Sequence, residues 1–119
     1  MARILVVEDE MLVAMLIEDA IADLGHQIVG PAMRLETALD AASHETFDFA
    51  ILDINLAGKQ SFPVADKLTA RGTPFMFASG YGSAGLIDPY RDATVLQKPF
   101  SPEQLAVVLG RVLACHHSE

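Results

Sequence analysis

Apolar residues along this chain form two alternating patterns, short continuous runs and stripes with helical spacing. The continuous runs predict five strands, at residues 3–7, 27–30, 47–53, 74–79 and 94–98. Three of these runs are almost wholly apolar, which is typical of strands in a parallel sheet that is covered on both faces.

Between the runs, apolar residues recur at intervals of three and four, which predicts helices. The first helical stripe includes Val13, Ile17 and Ile21 and ends before Gly25, and similar patterns cover residues 35–42, 62–71 and 102–113. The last helix begins at a Ser-x-x-Gln capping box, residues 101–104. Residues 80–93 contain three glycines and a proline, so any helix there is expected to be short, broken or mobile.

This alternation of strands and helices predicts an α/β fold, an open parallel sheet with helices on both faces. Binding sites in such sheets lie beyond the carboxyl ends of the strands. The third run, "FDFAILD", ends in Asp53, so the sequence places a carboxylate where a site is expected.

Length, net charge and the absence of long apolar runs exclude several classes of protein. The 119 residues are expected to form one domain, and the net charge of −8 argues against a nucleic-acid surface, since phosphates would be repelled. No apolar run reaches the length of a membrane span. The lone Cys115 and the lack of an export-signal pattern predict a cytoplasmic protein.

Polar residues follow four of the predicted strands. They are Glu8, Asp9, Asp53, Asn55, Ser79 and Lys98. Three are carboxylates and one is a lysine, which leaves a formal excess of two negative charges. A divalent cation matches that excess, and oxygen ligands favour Mg²⁺, with the main-chain carbonyl of Asn55 as a further ligand.

A carboxylate beside a cation and a lysine can act as a nucleophile toward a phosphoryl group and form an acyl phosphate. Asp53 is the predicted phosphoacceptor. Ser79 and Lys98 are predicted to contact the phosphoryl oxygens, by a hydrogen bond and an ion pair.

These residues resemble the receiver domain of bacterial two-component response regulators along the whole chain. The matching residues are Glu8-Asp9, Asp53, Ser79 and the "KPF" of residues 98–100. The resemblance implies a flavodoxin-like, doubly wound five-stranded sheet in the order 2-1-3-4-5. It also implies Mg²⁺-dependent phosphoryl transfer from a sensor histidine kinase or a histidine phosphotransferase.

The resemblance also assigns roles to individual residues. Asp9 and Asp53 would bind Mg²⁺ directly together with the carbonyl of Asn55, and Glu8 would act through water. A cis Lys98–Pro99 peptide is common in the family.

Two positions depart from the family pattern. Val95 stands where an aromatic switch residue is usual, and Ala57 replaces the usual proline of the loop after Asp53. The stretch "PFMFASGYG" resembles a subgroup of stand-alone receivers in alphaproteobacterial stress signalling. This resemblance moves the expected switch to the loop at Gly80, Tyr81 and Gly82.

Two surfaces are predicted to bind proteins. The first, for the kinase, comprises Met11, Ala14, Met15, Pro99 and Phe100, although an ordinary half-exposed helix face explains the methionines equally well. The second is a small-residue stripe on the last helix, Val107, Gly110 and Ala114, a candidate dimer or partner surface for which simple tolerance of small residues is the favoured explanation. The chain is expected to be a monomer or a weak dimer.

The sequence therefore predicts a single-domain response regulator, residues 1–119, that acts through a downstream protein partner and is not a turnover enzyme. Two alternatives remain open. One is a receiver-like adaptor that works without phosphorylation, which Val95 keeps open. The other is an aspartyl-phosphate phosphohydrolase, which is disfavoured because Asn55 occupies the place of its general-acid carboxylate.

Overall fold

The computed structural model describes residues 2–80 and 85–117, with side chains up to residue 113. In chain order the elements are β1 (Arg3–Val7), α1 (Met11–Asp23), β2 (Gln27–Ala32), α2 (Leu35–His44), β3 (Phe49–Asp53), β4 (Asn55–Leu56), β5 (Lys59–Gln60), α3 (Phe62–Arg71), β6 (Phe75–Ser79), β7 (Val95–Gln97) and α4 (Pro102–His117).

Five of the strands form one parallel sheet in the order β2-β1-β3-β6-β7. Counted without the β4–β5 hairpin, this is the predicted order 2-1-3-4-5, and the fold prediction is confirmed. The register pairs Val7 with Leu52 and Asp53 with Ala78, so the carboxyl ends of β1, β3 and β6 lie side by side.

Each face of the sheet has its own apolar core, because successive side chains of a strand point to opposite faces. Leu5, Leu52 and Phe77 pack on the face that α2 and α3 cover. Ile4 and Ile51 pack on the other face, which α1 and α4 cover. This two-sided burial explains the continuous apolar runs in the sequence.

The predicted signals at helix ends are present in the structure. Ser101 Oγ accepts a hydrogen bond from the Gln104 N–H at 3.1 Å, and Gln104 Oε1 accepts one from the Ser101 N–H at 2.8 Å, so α4 begins with the predicted capping box. Gly25 follows α1 with a φ of +85°, a left-handed conformation that glycine adopts without steric penalty.

The hairpin of β4 and β5 is an element that the sequence did not predict. It pairs Asn55 with Gln60 and Leu56 with Lys59, antiparallel to each other and outside the main sheet. Two-residue strands are too short for an alternating pattern to show. The hairpin occupies the loop directly after Asp53 and so becomes part of the site.

In the segment between β6 and β7, any helix is expected from the sequence to be short, broken or mobile. Residues 86–93 contain turns and no helix. Tyr81 and Gly82, two predicted switch residues, lie outside the described residues. Among the helices of the described chain, none has both the length and the apolar character needed to cross a membrane.

Candidate functional site

Three carboxylates converge at the carboxyl edge of the sheet. Glu8, Asp9 and Asp53 each offer an oxygen atom, and these oxygens all lie within 4.8 Å of one another. Glu8 is fully buried and is fixed by its main chain, whose N–H donates to the Ala32 carbonyl of β2 at 3.0 Å. The structure thus brings Asp53 next to two acidic residues that lie more than forty positions earlier in the sequence.

Lys98 supplies a positive charge to this cluster from the end of β7. Its Nζ lies 2.9 Å from Glu8 Oε1, donates a hydrogen bond to Glu8 Oε2 at 3.1 Å, and lies 3.2 Å from Asp53 Oδ2. Burial alone would lower the pKa of Lys98, but the Glu8 hydrogen bonds and the Asp53 charge raise it, so the ammonium stays charged. The Lys98–Pro99 peptide is cis, as the resemblance implied.

The electrostatics of Asp53 reflect an excess of negative charge. Burial and the neighbouring charge of Glu8 raise the pKa of Asp53 to about 7 from an ordinary value of 3.8, although Lys98 acts in the opposite direction. Two unit charges about 4 Å apart repel by roughly 4 kcal/mol at an effective dielectric of about 20. One ammonium therefore compensates three carboxylates only in part.

Asp9 lies at the outer side of the cluster and is partly exposed. Its Oδ2 accepts a hydrogen bond from the main-chain N–H of Ala57 at 2.9 Å. Burial raises the pKa of Asp9, but hydrogen bonds, first among them that from Ala57, outweigh burial and lower it. Asp9 is accordingly a carboxylate that is ionised at neutral pH.

A cavity of about 580 Å³ opens over these groups. The predicted residues that line it are Asp9, Asp53, Asn55, Ser79, Gly80 and Lys98. Ser79 is buried, and its carbonyl accepts the Lys98 N–H at 2.8 Å, which ties the ends of β6 and β7 together. The Asn55 N–H donates to Asp53 Oδ1 at 3.4 Å.

Sequence reasoning missed other residues of the cavity wall. Glu10, Gly58, Gln60 and Gly85 also line it. Gly58 and Gln60 reach the cavity only because the β4–β5 hairpin folds back toward Asp53, and nothing in the apolar pattern indicated that hairpin.

The site fits a hard divalent cation on its donor chemistry. The clustered ligand atoms are carboxylate oxygens, which Mg²⁺ prefers, and a cation would offset the charge that raises the pKa of Asp53. Asp9 and Asp53 face the open cavity, whereas both oxygens of Glu8 contact Lys98.

The predicted switch position Val95 is half-buried and packs on the core beneath α3. In the sheet Val95 pairs with Phe77, whose ring lies 5.9 Å from that of Tyr90. Sequence reasoning missed Tyr90 because it lies in an irregular segment. Its ring stacks on Phe62 at 6.0 Å, and its hydroxyl donates to Asp66 Oδ1 at 2.6 Å. The segment before β7 is thereby anchored to α3.

The α1 residues of the predicted docking surface differ in exposure. Met11 is 56% exposed and Met15 is 50% exposed. Ala14 is fully buried, so its methyl group cannot contact a partner, and the prediction for this residue is wrong. Leu12, which the sequence analysis did not include, is 81% exposed beside the two methionines.

The other predicted contact residues differ in exposure. Pro99 is exposed, whereas Phe100 is half-buried and packs against the core beneath α1 and α4. On α4, Val107 is 67% exposed and Gly110 is exposed. The side chain of Ala114 lies outside the described residues.

Comparison with known proteins agrees with this geometry. Residues 4–109 match the family model described as the response regulator receiver domain. The phyllosphere-induced regulator PhyR of Methylorubrum extorquens is 33% identical over 115 residues, which cover 93% of this chain and 43% of PhyR. The chain spans about half the length of the curated relatives it matches.

Solved structures give the same result. SdrG from Sphingomonas melonis Fr1 is 41% identical, with a TM-score of 0.83 over 95% of this chain and 97% of SdrG. SdrG has also been solved in a BeF3-activated conformation. PhyR from Bartonella quintana, described as an anti-anti-sigma factor, is 26% identical, with a TM-score of 0.81 over 98% of this chain and 49% of that chain. PhyR is elsewhere described as a stress response regulator.

Proposed function

The chain belongs to the family of response regulator receiver domains, and from this membership we propose that it accepts a phosphoryl group on Asp53 in an Mg²⁺-dependent reaction. Receiver-domain regulators such as PhyR and SdrG are signalling proteins and not turnover enzymes, which removes the phosphohydrolase alternative. The observation that carries the proposal is the cluster of Asp53, Asp9, Glu8 and Lys98, of which all but the buried Glu8 line one cavity.

The proposed reaction follows from the charges around Asp53. A carboxylate oxygen of Asp53 attacks the phosphorus of a phosphohistidine, a P–O bond forms, and the P–N bond breaks as the donor imidazole takes up a proton. Lys98 pairs with a phosphoryl oxygen and the hydroxyl of Ser79 donates a hydrogen bond to another. Asp9, Asp53 and the Asn55 carbonyl would hold Mg²⁺, which would supply positive charge that stabilises the transferring phosphoryl group.

The consequence of phosphorylation is proposed to be a change of protein contacts. The phosphoryl group draws Lys98 and Ser79 toward it, and the loop that begins at Gly80 changes its population of conformations. We propose that a downstream protein partner recognises that loop. The similarity to PhyR, described as an anti-anti-sigma factor and as a stress response regulator, supports a role in general stress signalling.

The phosphodonor is proposed to be a sensor histidine kinase or a histidine phosphotransferase that docks on α1. The docking patch is the exposed apolar group Met11, Leu12 and Met15. Flexible methionines adapt to a partner helix, and exposed apolar side chains that lie together favour a contact. We further propose that residues 1–119 act as one receiver domain in the cytoplasm.

The phosphoacceptor proposal is tested by incubating the protein with Mg²⁺ and acetyl phosphate or beryllofluoride. Wild type should gain the mass of one phosphoryl group with acetyl phosphate, and its amide NMR shifts should change around Ser79 with either reagent. Asp53→Asn should show neither change, and Asp19→Asn, an equal change of charge on an exposed part of α1, should behave like wild type. A fully folded wild type that takes up no phosphoryl group would favour the phosphorylation-independent adaptor.

The docking proposal needs a separate experiment. Replacing Met11 and Met15 together by Glu should slow phosphoryl transfer from the cognate kinase and leave uptake from acetyl phosphate unchanged. Leu24→Glu, at an exposed apolar position at the far end of α1, serves as the control. Transfer from the kinase at the wild-type rate in the double variant would contradict the docking patch.

A further inference from the structure

The turn of the β4–β5 hairpin contacts a residue of the proposed metal site. The main-chain N–H of Ala57 donates to Asp9 Oδ2 at 2.9 Å, although the two residues are 48 positions apart. Asp9 follows β1 and Ala57 follows β3, so this bond joins two neighbouring strand ends across the rim of the cavity.

The turn has an unusual residue for its conformation. Ala57 has a φ of +51° and Gly58 a φ of +87°, which is the pattern of a type I′ hairpin turn. Such turns favour Asn-Gly, because a Cβ is disfavoured in the left-handed region and asparagine tolerates that region better than alanine. Proline cannot adopt this φ and has no N–H to donate. The residue that the receiver pattern usually has here is therefore incompatible with the contact.

A side-chain ion pair also anchors the hairpin turn to α2. Lys59 Nζ lies 2.8 Å from Glu36 Oε2, an exposed ion pair between the hairpin and α2. Two ladder pairs, Asn55 with Gln60 and Leu56 with Lys59, close the hairpin. The left-handed conformation of Ala57 is thus stabilised by its surroundings, and it aims the N–H at the Asp9 carboxylate.

We propose that Ala57 is a positioning residue for Asp9: its N–H fixes the Asp9 carboxylate in the orientation that binds the cation. This inference rests on the proposed function, in which Asp9 is a metal ligand. The N–H uses one acceptor position of Oδ2, and the carboxylate keeps further lone pairs for the cation. Groups that orient metal ligands in this way typically change metal affinity about 10- to 100-fold, and an exposed bond belongs at the lower end.

Substitutions at position 57 separate positioning from simple hairpin stability. Ala57→Pro removes the N–H, whereas Ala57→Asn and Ala57→Gly keep it and suit the left-handed φ. We expect Ala57→Pro to weaken Mg²⁺ binding, measured by NMR titration, about tenfold. The Asn and Gly variants should stay within about twofold of wild type, although urea unfolding should show them to be more stable. A folded Ala57→Pro protein with Mg²⁺ affinity within about twofold of wild type would overturn the inference.

A thermodynamic cycle adds a readout that a merely structural role would not change. In an Asp9→Asn background, Ala57→Pro should cause little further loss of Mg²⁺ affinity, because the ligand it positions has been changed. A tenfold loss in both backgrounds would assign the effect to the hairpin and not to Asp9.

A measurement without metal covers the case in which Ala57→Pro fails to fold. In metal-free wild type, the Ala57 amide proton should exchange slowly for a residue in an exposed turn. In Asp9→Ala it should exchange about threefold to tenfold faster, the factor expected for one lost hydrogen bond. An unchanged exchange rate would refute the contact. If wild type binds no Mg²⁺ but the exchange rates of wild type and Asp9→Ala differ as expected, the hydrogen bond is present. That result would contradict both the proposed function and the role of Ala57 in metal binding.

Discussion

Asp53→Asn should stabilise the metal-free protein, and the gain should grow with pH. The pKa of Asp53 is raised from 3.8 to about 7 by burial and by Glu8. Between these values the folded state holds a proton that the unfolded state has lost, so the free energy of unfolding falls as the pH rises from about 4 to about 7. An asparagine carries no charge at any pH and avoids this loss.

The size of the effect follows from the shift. About three pKa units at about 1.36 kcal/mol each give a difference on the order of 4 kcal/mol, reached by about pH 7 to 8. With an m-value of about 2 kcal/mol per molar, this corresponds to a shift of about 2 M in the urea midpoint. Near pH 4 the two proteins should have almost equal stability, because Asp53 is then protonated in the folded state.

The assay is urea unfolding followed by circular dichroism, with a chelator present, at intervals from pH 4 to pH 8. Asp19→Asn removes one negative charge from an exposed position and controls for the change in net charge. The difference in urea midpoint between Asp53→Asn and wild type should increase as the pH rises. The difference between Asp19→Asn and wild type should stay constant. Adding Mg²⁺ at pH 8 should stabilise wild type more than Asp53→Asn and narrow the difference.

Two results would refute this reasoning about Asp53. The first is a difference in stability that has the same size at pH 4 and pH 8, since a titrating carboxylate cannot produce it. The second is a wild type that is more stable than Asp53→Asn at pH 8 without metal. Either result would mean that Lys98 fully compensates the negative charge of the three carboxylates. The site would then have no excess negative charge for a cation to neutralise.

Three further predictions concern the groups around the site and the last helix. Lys98→Met keeps the aliphatic packing but leaves the buried carboxylates of Glu8 and Asp53 without their ammonium, so the free energy of unfolding at pH 8 should fall by about 3 kcal/mol. The loss should be smaller at pH 4, where Asp53 is protonated. Tyr90→Phe keeps the ring stacking and loses the 2.6 Å hydrogen bond to Asp66. Urea unfolding should therefore show a decrease of about 1 kcal/mol in the free energy of unfolding. An unchanged free energy would mean that water replaces the bond. Ser101→Ala removes half of the capping box with Gln104, and thermal unfolding should show a loss of about 1 kcal/mol together with faster amide exchange in the first turn of α4.

The sequence was sufficient to predict the sheet and the main residues of the site for one physical reason. Strands buried on both faces leave continuous apolar runs, and the polar residue that ends each run marks the carboxyl edge. Asp53 and Lys98 were found in this way, and the structure places them 3.2 Å apart. Neither residue needed any information about its partners across the sheet.

The predictions that failed or were missing depend on packing between elements. Helical spacing groups Ala14 with Met11 and Met15, but it also groups Ala14 with Ile17, and only the docking of α1 on the sheet decides which set is buried. The β4–β5 hairpin has strands of two residues, and its turn lacks the Asn-Gly signal that identifies such turns. Tyr90 lies in a segment without periodicity, and its partners Phe62 and Asp66 belong to a distant helix.

The departures from the receiver pattern lie at the start of β7 and in the β4–β5 turn, whereas the charged groups lie at or just after the carboxyl ends of strands. Val95 and Ala57 change the surroundings of the site, and the ion pairs of Lys98 with Glu8 and Asp53 are unaffected by either. Because Lys98 also donates its main-chain N–H to the Ser79 carbonyl, a phosphoryl group that draws the lysine away from Glu8 acts directly on the residue before Gly80. In a chain without the usual aromatic at position 95, this main-chain link offers a physical route from Asp53, through Lys98, to the loop that we propose a partner recognises.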